Sequence, residues 1–228
     1  GKSDLIPTER LKKAHLCRIQ GEKLQFKKLI ISPHADDEVI GCSSVLDKDA
    51  FVYICGVDES NFPEDSTPAN DRMNDLEEAS KVLGFSFECN TKSKVNYYDE
   101  KEFIGIFEKL INRIKPESVF IPCPDYNQDH KAIHHAAIIA LRPHDKNFFV
   151  KRVLVYEMSH NAVWNPARMN LNYFVPVDVK KKMLAYSKYK TEVRGMRSPQ
   201  MLEHVASIRG AAVNTKHAEA FEIIRWVD

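Results

Sequence analysis

The sequence predicts an α/β domain in which a mostly parallel sheet is flanked by helices. Short apolar runs alternate with amphipathic segments between residues 28 and 158, which is the order of elements that βαβ units produce. The chain has 228 residues, of which 43% are hydrophobic, and this length suits one domain with one core. We therefore expect a single domain over residues 28–228, preceded by a basic, amphipathic extension over residues 1–27.

Apolar runs rich in β-branched and aromatic residues mark the strands. They are predicted at residues 28–32, 51–57, 85–89, 118–122 and 152–158. Helical spacing predicts helices that begin near Glu38 and that cover residues 72–83, 102–114 and 130–141. Gly84, Pro116 and Pro143 follow three of these helices and are typical of helix ends. Two further helices are predicted at residues 179–192 and 199–209, whereas residues 218–224 fit a strand or a helix.

The charge balance gives no reason to expect nucleic acid or an anionic membrane as a partner. Lys and Arg number 33, and Asp and Glu number 32. No apolar run approaches the ~20 residues that span a bilayer, and the N-terminus lacks the pattern of a signal peptide. The five cysteines are widely spaced and form no CxxC pair, which favours a reducing, cytoplasmic location. We expect a small-molecule partner and leave oligomer formation open.

The strongest functional signal follows the first predicted strand, where the chain reads His34, Ala35, Asp36, Asp37 and Glu38. In open α/β sheets, ligands bind outside the carboxyl ends of the strands. Carboxylates packed this closely repel one another, and a divalent cation removes that conflict. Imidazole and carboxylate groups together suit zinc or a similar transition metal. Acidic residues that only favour the helix dipole would explain one carboxylate, but not this combination.

A second polar cluster follows the fourth predicted strand. Asp125, Asp129 and His130 lie within six residues of one another. Because this loop also follows a strand, it should lie at the same edge of the sheet as the first cluster. His130 opens a predicted helix, and His134 follows at a spacing that can also bind a metal. We assign His130 as the ligand because it is nearest to the first cluster, and we expect His134 to be an ordinary helix residue.

These residues resemble the LmbE-like, PIG-L-type N-deacetylases. The first family motif, His-Pro-Asp-Asp-Glu, corresponds to residues 34–38, and the second, His-x-Asp-His, corresponds to residues 127–130. Weaker similarities occur at residues 72–84, 156–157, 165–166, 177–178, 182–191 and 218–221, so the resemblance spans about residues 28–225. The resemblance implies a Rossmann-like fold, a divalent metal that is usually zinc, and removal of N-acetyl groups from glucosamine-containing molecules.

The resemblance also implies a role for each matching residue. His34, Asp37 and His130 are expected to bind the metal, and Asp36 is expected to act as the general base on a metal-activated water. Asp129 is expected to orient or tune a neighbouring group.

This sequence departs from the family motifs at two positions. Ala35 stands where the family has Pro, which changes no reactive group. Asn127 stands where the family commonly has His near the transition state. An Asn amide can stabilise an oxyanion, so we predict that catalytic role for Asn127.

Substrate contacts are predicted at Arg72, Asp99 and His160. Arg72 follows the polar, proline-containing segment 58–71, and a guanidinium there can hold sugar hydroxyls or an anionic group. It can equally be a solvated helix residue. Asp99 corresponds by position to a substrate contact of the family. His160 follows the fifth predicted strand and is also a candidate to protonate the leaving amine.

Other functions stay open at this point. The same metal and base would serve a metal-dependent amidase that acts on a non-sugar amide. A catalytically impaired family member acting as a binding module would explain Asn127, although the three ligands and Asp36 remain. A nucleotide-binding domain has no support, because no GxGxxG follows the first predicted strand.

Overall fold

The structure, a computed structural model, describes residues 25–60, 67–164, 168–195 and 197–228. Most of the predicted extension at residues 1–27 therefore lies outside the described residues. The same holds for the family similarity at residues 165–166 and for the middle of the polar segment 58–71.

Within these ranges, seven strands form one sheet. They are β1 (Lys28–Ser32), β2 (Ala50–Ile54), β3 (Ser86–Cys89), β4 (Ser118–Pro122), β5 (Arg152–Tyr156), β6 (Tyr173–Pro176) and β7 (Ala218–Trp226). Their order in the sheet is β3-β2-β1-β4-β5-β7-β6. The first five strands run parallel, and β7 pairs antiparallel with both β5 and β6. The predicted single α/β domain with a mostly parallel sheet is confirmed.

Helices connect and flank these strands. They are α1 (Asp37–Cys42), α2 (Ala69–Leu83), α3 (Glu100–Ile114), α4 (Gln128–Ala140), α5 (Val179–Tyr186) and α6 (Pro199–Ala211). A 3₁₀ turn at Ser159–Ala162 follows β5. Gly84 ends α2 in the left-handed conformation, with φ of 90°, as predicted for a glycine after a helix. In the portion of the chain that is described, no helix is long and apolar enough to cross a bilayer.

The core strands are covered on both faces, which explains their nearly continuous apolar sequences. Leu29, Ile30 and Ile31 of β1 are completely buried. α1 approaches the sheet closely at Gly41, where an added Cβ atom would lie 2.3 Å from Cδ2 of Tyr156. Since that separation is far below van der Waals contact, this crossing requires a glycine.

The strand order places the two polar clusters side by side. β1 is bonded to β2 on one side and to β4 on the other, so the direction in which the strands are added reverses at β1. The loops that follow β1 and β4 therefore leave the same edge of the sheet as neighbours. Ligand sites of open α/β sheets lie at such points.

The C-terminal third differs from the sequence-based prediction. The helix predicted over residues 179–192 ends at Tyr186, because the chain turns there and buries Tyr189 and Glu192. The structure shows residues 218–224 as part of strand β7, which covers the edge of β5. The sequence analysis missed β6, a four-residue strand whose side chains are only partly buried.

Candidate metal centre

The turn between β1 and α1 is held by carboxylates from the start of the helix. The backbone N–H of His34 donates to Oδ2 of Asp37 at 3.0 Å. Oε2 of Glu38 accepts from the N–H of Asp36 at 3.0 Å and from the hydroxyl of Ser32 at 3.2 Å. The backbone of Asp36 has a φ of 139°, a conformation that residues other than glycine rarely adopt. Such strain persists where surrounding contacts impose it, as they do here.

The structure brings together the three predicted ligands. Nδ1 of His34 and Nε2 of His130 each lie 3.2 Å from Oδ2 of Asp37. One ligand atom from each residue lies within 4.8 Å of the others. Two ligands of a tetrahedral zinc ion, each about 2.1 Å from the metal, are about 3.4 Å apart. These separations therefore fit a shared metal ion, and the partly exposed side chain of His34 leaves one side of the cluster open.

A carboxylate supports each histidine from behind. Nε2 of His34 lies 2.8 Å from Oδ2 of Asp129, and Nδ1 of His130 lies 2.9 Å from Oδ2 of Asp125. Oδ2 of Asp129 also accepts the backbone N–H of Asn96 at 2.7 Å. When the rear nitrogen donates to a carboxylate, the nitrogen that faces Asp37 is available to a metal. An orienting role for Asp129 stays a prediction, and its contact with His34 gives the geometry through which it would act.

The charges of the cluster also fit a metal ion. Burial lowers the pKa of His34, but hydrogen bonds with Asp129 and Asp37 outweigh burial and raise this pKa to about 9. Burial likewise lowers the pKa of His130, but the charge of Asp37 and the bond with Asp125 raise it to about 10. Positive charge is therefore favoured around Asp37. A divalent cation would supply that charge in place of two protons.

Asp36 is buried beside the cluster and is incompletely paired. Among the described residues, its Oδ2 atom has no hydrogen-bond partner, and the nearest cation, Nη1 of Arg197, lies 3.6 Å away. Burial raises the pKa of Asp36 well above its usual range. Buried polar atoms are nearly always hydrogen-bonded. An unpaired carboxylate oxygen here therefore points to a water or substrate group as its partner.

Glu38, the last residue of the first motif, supports the turn. The hydroxyl of Tyr189 donates a short hydrogen bond to Oε1 of Glu38. Burial raises the pKa of Glu38 to about 7, against the opposing effect of the bond from Tyr189. Because both carboxylate oxygens are occupied within the protein, Glu38 orients the segment that carries Asp36 and Asp37.

Asp125 links the predicted metal ligand to His160. Its Oδ2 atom lies 2.9 Å from Nδ1 of His130 and 2.7 Å from Nε2 of His160. Burial acts to raise the pKa of Asp125, but hydrogen bonds with the two histidines outweigh burial and lower it. The sequence analysis noted Asp125 in the second cluster but gave it no role. Its connection to His160 comes from a different loop and has no spacing signal.

Asn127 caps helix α4. Its Oδ1 atom accepts the backbone N–H of Asp129 at 2.8 Å, and its own N–H donates to Oδ1 of Asp125 at 2.7 Å. Asn127 therefore connects the two carboxylates that support the histidines. Its side-chain NH₂ remains the group that the predicted oxyanion role requires.

Arg72 and Asp99, which were also predicted to contact the substrate, form hydrogen bonds within the protein. Nη2 of Arg72 lies 2.6 Å from Oε1 of Glu59 and 2.7 Å from Oε1 of Glu192, so the buried Arg72 joins two loops. Asp99 caps helix α3, because its side chain accepts the backbone N–H groups of Lys101 and Glu102. A role for Arg72 or Asp99 in binding substrate stays a prediction.

The adjacent histidines of α4 lie outside the cluster. Nδ1 of His134 bonds to the carbonyl oxygen of Pro122 at 2.8 Å, and His135 is exposed with Nδ1 3.0 Å from Oε1 of Glu100. These contacts agree with the assignment of His130, rather than His134, to the metal cluster.

Replacing Asp125 by Asn is expected to weaken metal binding by about 10- to 100-fold, since loss of a carboxylate behind a metal-binding histidine typically has this effect. The amide is neutral and stabilises the ring of His130 less. Competition with a coloured chelator measures the affinity. Asp129→Asn, which changes the corresponding contact of His34, should give a loss of similar size. Unchanged affinity in Asp125→Asn would contradict this role.

A comparison with family models matches residues 29–141 to the family described as PIG-L, GlcNAc-PI de-N-acetylase. The matched region contains His34, Asp37 and His130, the residues of the geometric metal cluster. The chain carries a PIG-L family domain. No curated protein matches this PIG-L chain significantly in sequence.

Several solved structures share the fold of this PIG-L domain. N,N′-diacetylchitobiose deacetylase from Pyrococcus horikoshii has a TM-score of 0.67 and 18% identity, and the match covers 98% of this chain and 95% of the other. A zinc-inhibited form of the teicoplanin deacetylase Orf2 has a TM-score of 0.67 and 17% identity, covering 88% and 99%. GalB, the 4-carboxy-2-hydroxymuconate hydratase from Pseudomonas putida KT2440, has a TM-score of 0.69 and 16% identity, covering 89% and 99%.

These neighbours establish the fold of the PIG-L domain and leave its reaction to be argued from the site. Deacetylases and a hydratase share the architecture. The family match ends at residue 141, so His160, Tyr189 and Arg197 lie beyond it. Their contacts are with Asp125, Glu38 and Asp36, respectively, beside the metal cluster. The sequence analysis missed Tyr189 and Arg197 altogether.

Proposed function

We propose that this protein is a zinc-dependent deacetylase that removes the N-acetyl group from a GlcNAc-containing or similar amino-sugar molecule. The observation that carries the proposal is the cluster of His34, Asp37 and His130 inside a PIG-L domain, with the unpaired oxygen of Asp36 beside it. The family description names an N-acetyl group on a glucosamine unit, which is the chemistry we carry over to this chain.

His34, Asp37 and His130 would hold the metal. When bound, a zinc ion supplies Lewis acidity and lowers the pKa of a water molecule. Amide hydrolysis also requires a group that accepts a proton and returns it to the leaving amine. Asp36 suits this role because its buried Oδ2 atom has no hydrogen-bond partner among the described residues. Arg197, 3.6 Å away, favours the ionised form of this carboxylate.

The charges around Asp36 and Arg197 form a connected network. Nη2 of Arg197 lies 3.4 Å from Oε2 of Glu192, whose Oε1 bonds to Arg72. The two arginines are thereby held by one buried glutamate. This arrangement keeps Arg197 next to Asp36.

The direct test measures acetate and free amine released from N-acetylglucosamine and its conjugates. Protein stripped of metal should be inactive, and reloading with zinc, cobalt, nickel or manganese should identify the ion that restores turnover. Absence of acetate release from every amino sugar by metal-loaded protein would overturn the proposal. Acetate release from simple non-sugar acetamides alone would support the amidase alternative, and sugar binding without turnover would support a binding module.

A conservative pair of variants separates two roles of Asn127. In Asn127→Ser the hydroxyl can still cap α4, but the amide donor is lost, so kcat should fall with little change in KM. Loss of one oxyanion donor typically costs about 2.7–4 kcal/mol in the barrier. Asn127→Ala should show the same kinetic loss and should also lower stability by about 1 kcal/mol through loss of the cap. Normal kcat in Asn127→Ser, with steady-state assays and thermal unfolding run in parallel, would restrict Asn127 to capping.

We also propose a reducing compartment, the cytoplasm, as the location. The described cysteines Cys42, Cys55, Cys89 and Cys123 are free thiols, which is typical of proteins in that compartment. Alkylation of the unfolded protein without a reductant, followed by mass spectrometry, should label all four of these thiols.

A further inference from the structure

Two exposed aromatic side chains stack on each other near the metal cluster. The rings of Tyr126 and Trp164 have centroids 4.9 Å apart and lie within 20° of parallel. Tyr126 is 48% exposed and Trp164 is 61% exposed. Neither residue belongs to the hydrophobic core of the domain. We call this pair of side chains the aromatic pair.

The aromatic pair is linked to the metal cluster through a chain of contacts that includes His160 and Asp125. The ring of Tyr126 lies 4.8 Å from the ring of His160. His160 bonds to Oδ2 of Asp125, and the same oxygen bonds to His130. Tyr126 follows β4 and Trp164 follows β5, and both strands end at the sheet edge that carries the cluster. The pair therefore lies at the same sheet edge as the candidate metal centre, beside Asp125 and His160.

Packing within the described part of the chain does not explain why these two aromatic side chains are exposed. One face of the Trp164 ring is covered by Tyr126, while most of the side chain remains in water. Ligand sites commonly combine aromatic surfaces with a few polar groups at a concave active centre. The face of an aromatic ring carries negative charge density. The C–H groups of a pyranose ring, which are polarised positively, pack well on such a face.

We propose that Tyr126 and Trp164 bind a second sugar ring of the substrate, next to the ring that carries the reacting acetamido group. This inference rests on the proposed deacetylase function. Asp125 and His160 lie between the pair and His130, so the pair stands beside the metal position rather than over it. When the acetamido group of one sugar ring reaches the metal cluster, the next sugar ring of the substrate would therefore lie on the aromatic pair.

Kinetics with one-ring and two-ring substrates test this assignment. In Trp164→Ala, KM for N,N′-diacetylchitobiose should rise about tenfold, the effect of roughly one stacking contact, and kcat should change little. Kinetics with N-acetylglucosamine should stay normal. Trp164→Phe should recover most of the loss, and Trp226→Phe, which alters an exposed tryptophan on β7, serves as the matched control. Equal effects on both sugars, or no effect on either, would overturn the assignment.

Binding measured without turnover separates this inference from the proposed function. Trp226→Phe leaves Trp164 as the single tryptophan of the chain, so its fluorescence reports directly on the aromatic pair. N,N′-diacetylchitobiose should shift the emission of the metal-free protein to shorter wavelength, and N-acetylglucosamine should have a much smaller effect at equal concentration. A shift without acetate release would support the sugar surface while the deacetylase proposal failed. The assignment of the aromatic pair to a sugar ring would be overturned if the disaccharide gave no shift, or if only detergent micelles shifted the emission.

Discussion

Replacing Asp36 by Asn should lower kcat by about 10²- to 10⁴-fold while the protein keeps its metal, since this is the usual effect of removing a general base. The amide has nearly the same size as the carboxylate but cannot accept a proton. Asn also tolerates positive φ better than most residues, so the turn at Asp36 should survive. The measurements are steady-state turnover on an N-acetyl amino sugar and metal content of the same preparation.

The matched control for this variant is Asp178→Asn. Asp178 caps α5, and Asn is an equally good cap, so turnover and unfolding temperature should stay normal. A kcat close to the unmodified value in metal-loaded Asp36→Asn would show that Asp36 only supports the turn. Another group, with His160 as the first candidate, would then have to accept the proton.

Replacing Asp37 by Asn should remove most of the bound metal, which we expect at about one equivalent in the unmodified protein. Oδ2 of Asp37 is the atom that both His34 and His130 approach at 3.2 Å. A neutral amide oxygen offers a weaker ligand and no charge to balance a dication. The loss of affinity should exceed the about 10- to 100-fold expected when a carboxylate behind a histidine is removed. Elemental analysis and chelator competition measure it.

His135→Gln is the matched control for the metal measurement. His135 is an exposed histidine on α4 outside the cluster, so its replacement should leave metal content and affinity unchanged. Metal binding by Asp37→Asn that equals binding by the unmodified protein would rule out the cluster as the metal site. An equal loss in His135→Gln would show that the metal is bound at the protein surface.

Local sequence patterns were sufficient to predict the parallel part of the sheet and the residues of the candidate metal cluster. The strands that begin at Lys28 and Ser118 are buried on both faces, so their apolar runs are readable without tertiary information. The motifs at residues 34–38 and 127–130 stand directly after those strands. Since parallel strands of one sheet have their carboxyl ends at the same edge, His34, Asp37 and His130 were predicted to meet, and the structure places them together.

Contacts between segments that are far apart in the sequence could not be predicted from such local patterns. Tyr189 bonds to Glu38 from a segment that the sequence predicted to be part of a helix over residues 179–192. Arg197 pairs with Asp36 from the loop between the two predicted C-terminal helices. The helix ends at Tyr186, and the chain beyond it buries Tyr189 against Glu38 and Glu192 against Arg72. Spacing along the chain describes only neighbours within a few residues, and it carries no information about these pairings.

The sequence by itself therefore determined the α/β class, the three residues of the candidate metal cluster and the residue proposed as base. Only the tertiary structure decided what surrounds them. It tied Arg72 to Glu192 and used Asn127 as a helix cap. It also brought Trp164 onto Tyr126 beside the site. The physical reason is that side-chain type and spacing set which groups a strand end can offer, whereas packing between loops sets which of those groups remain free for a ligand.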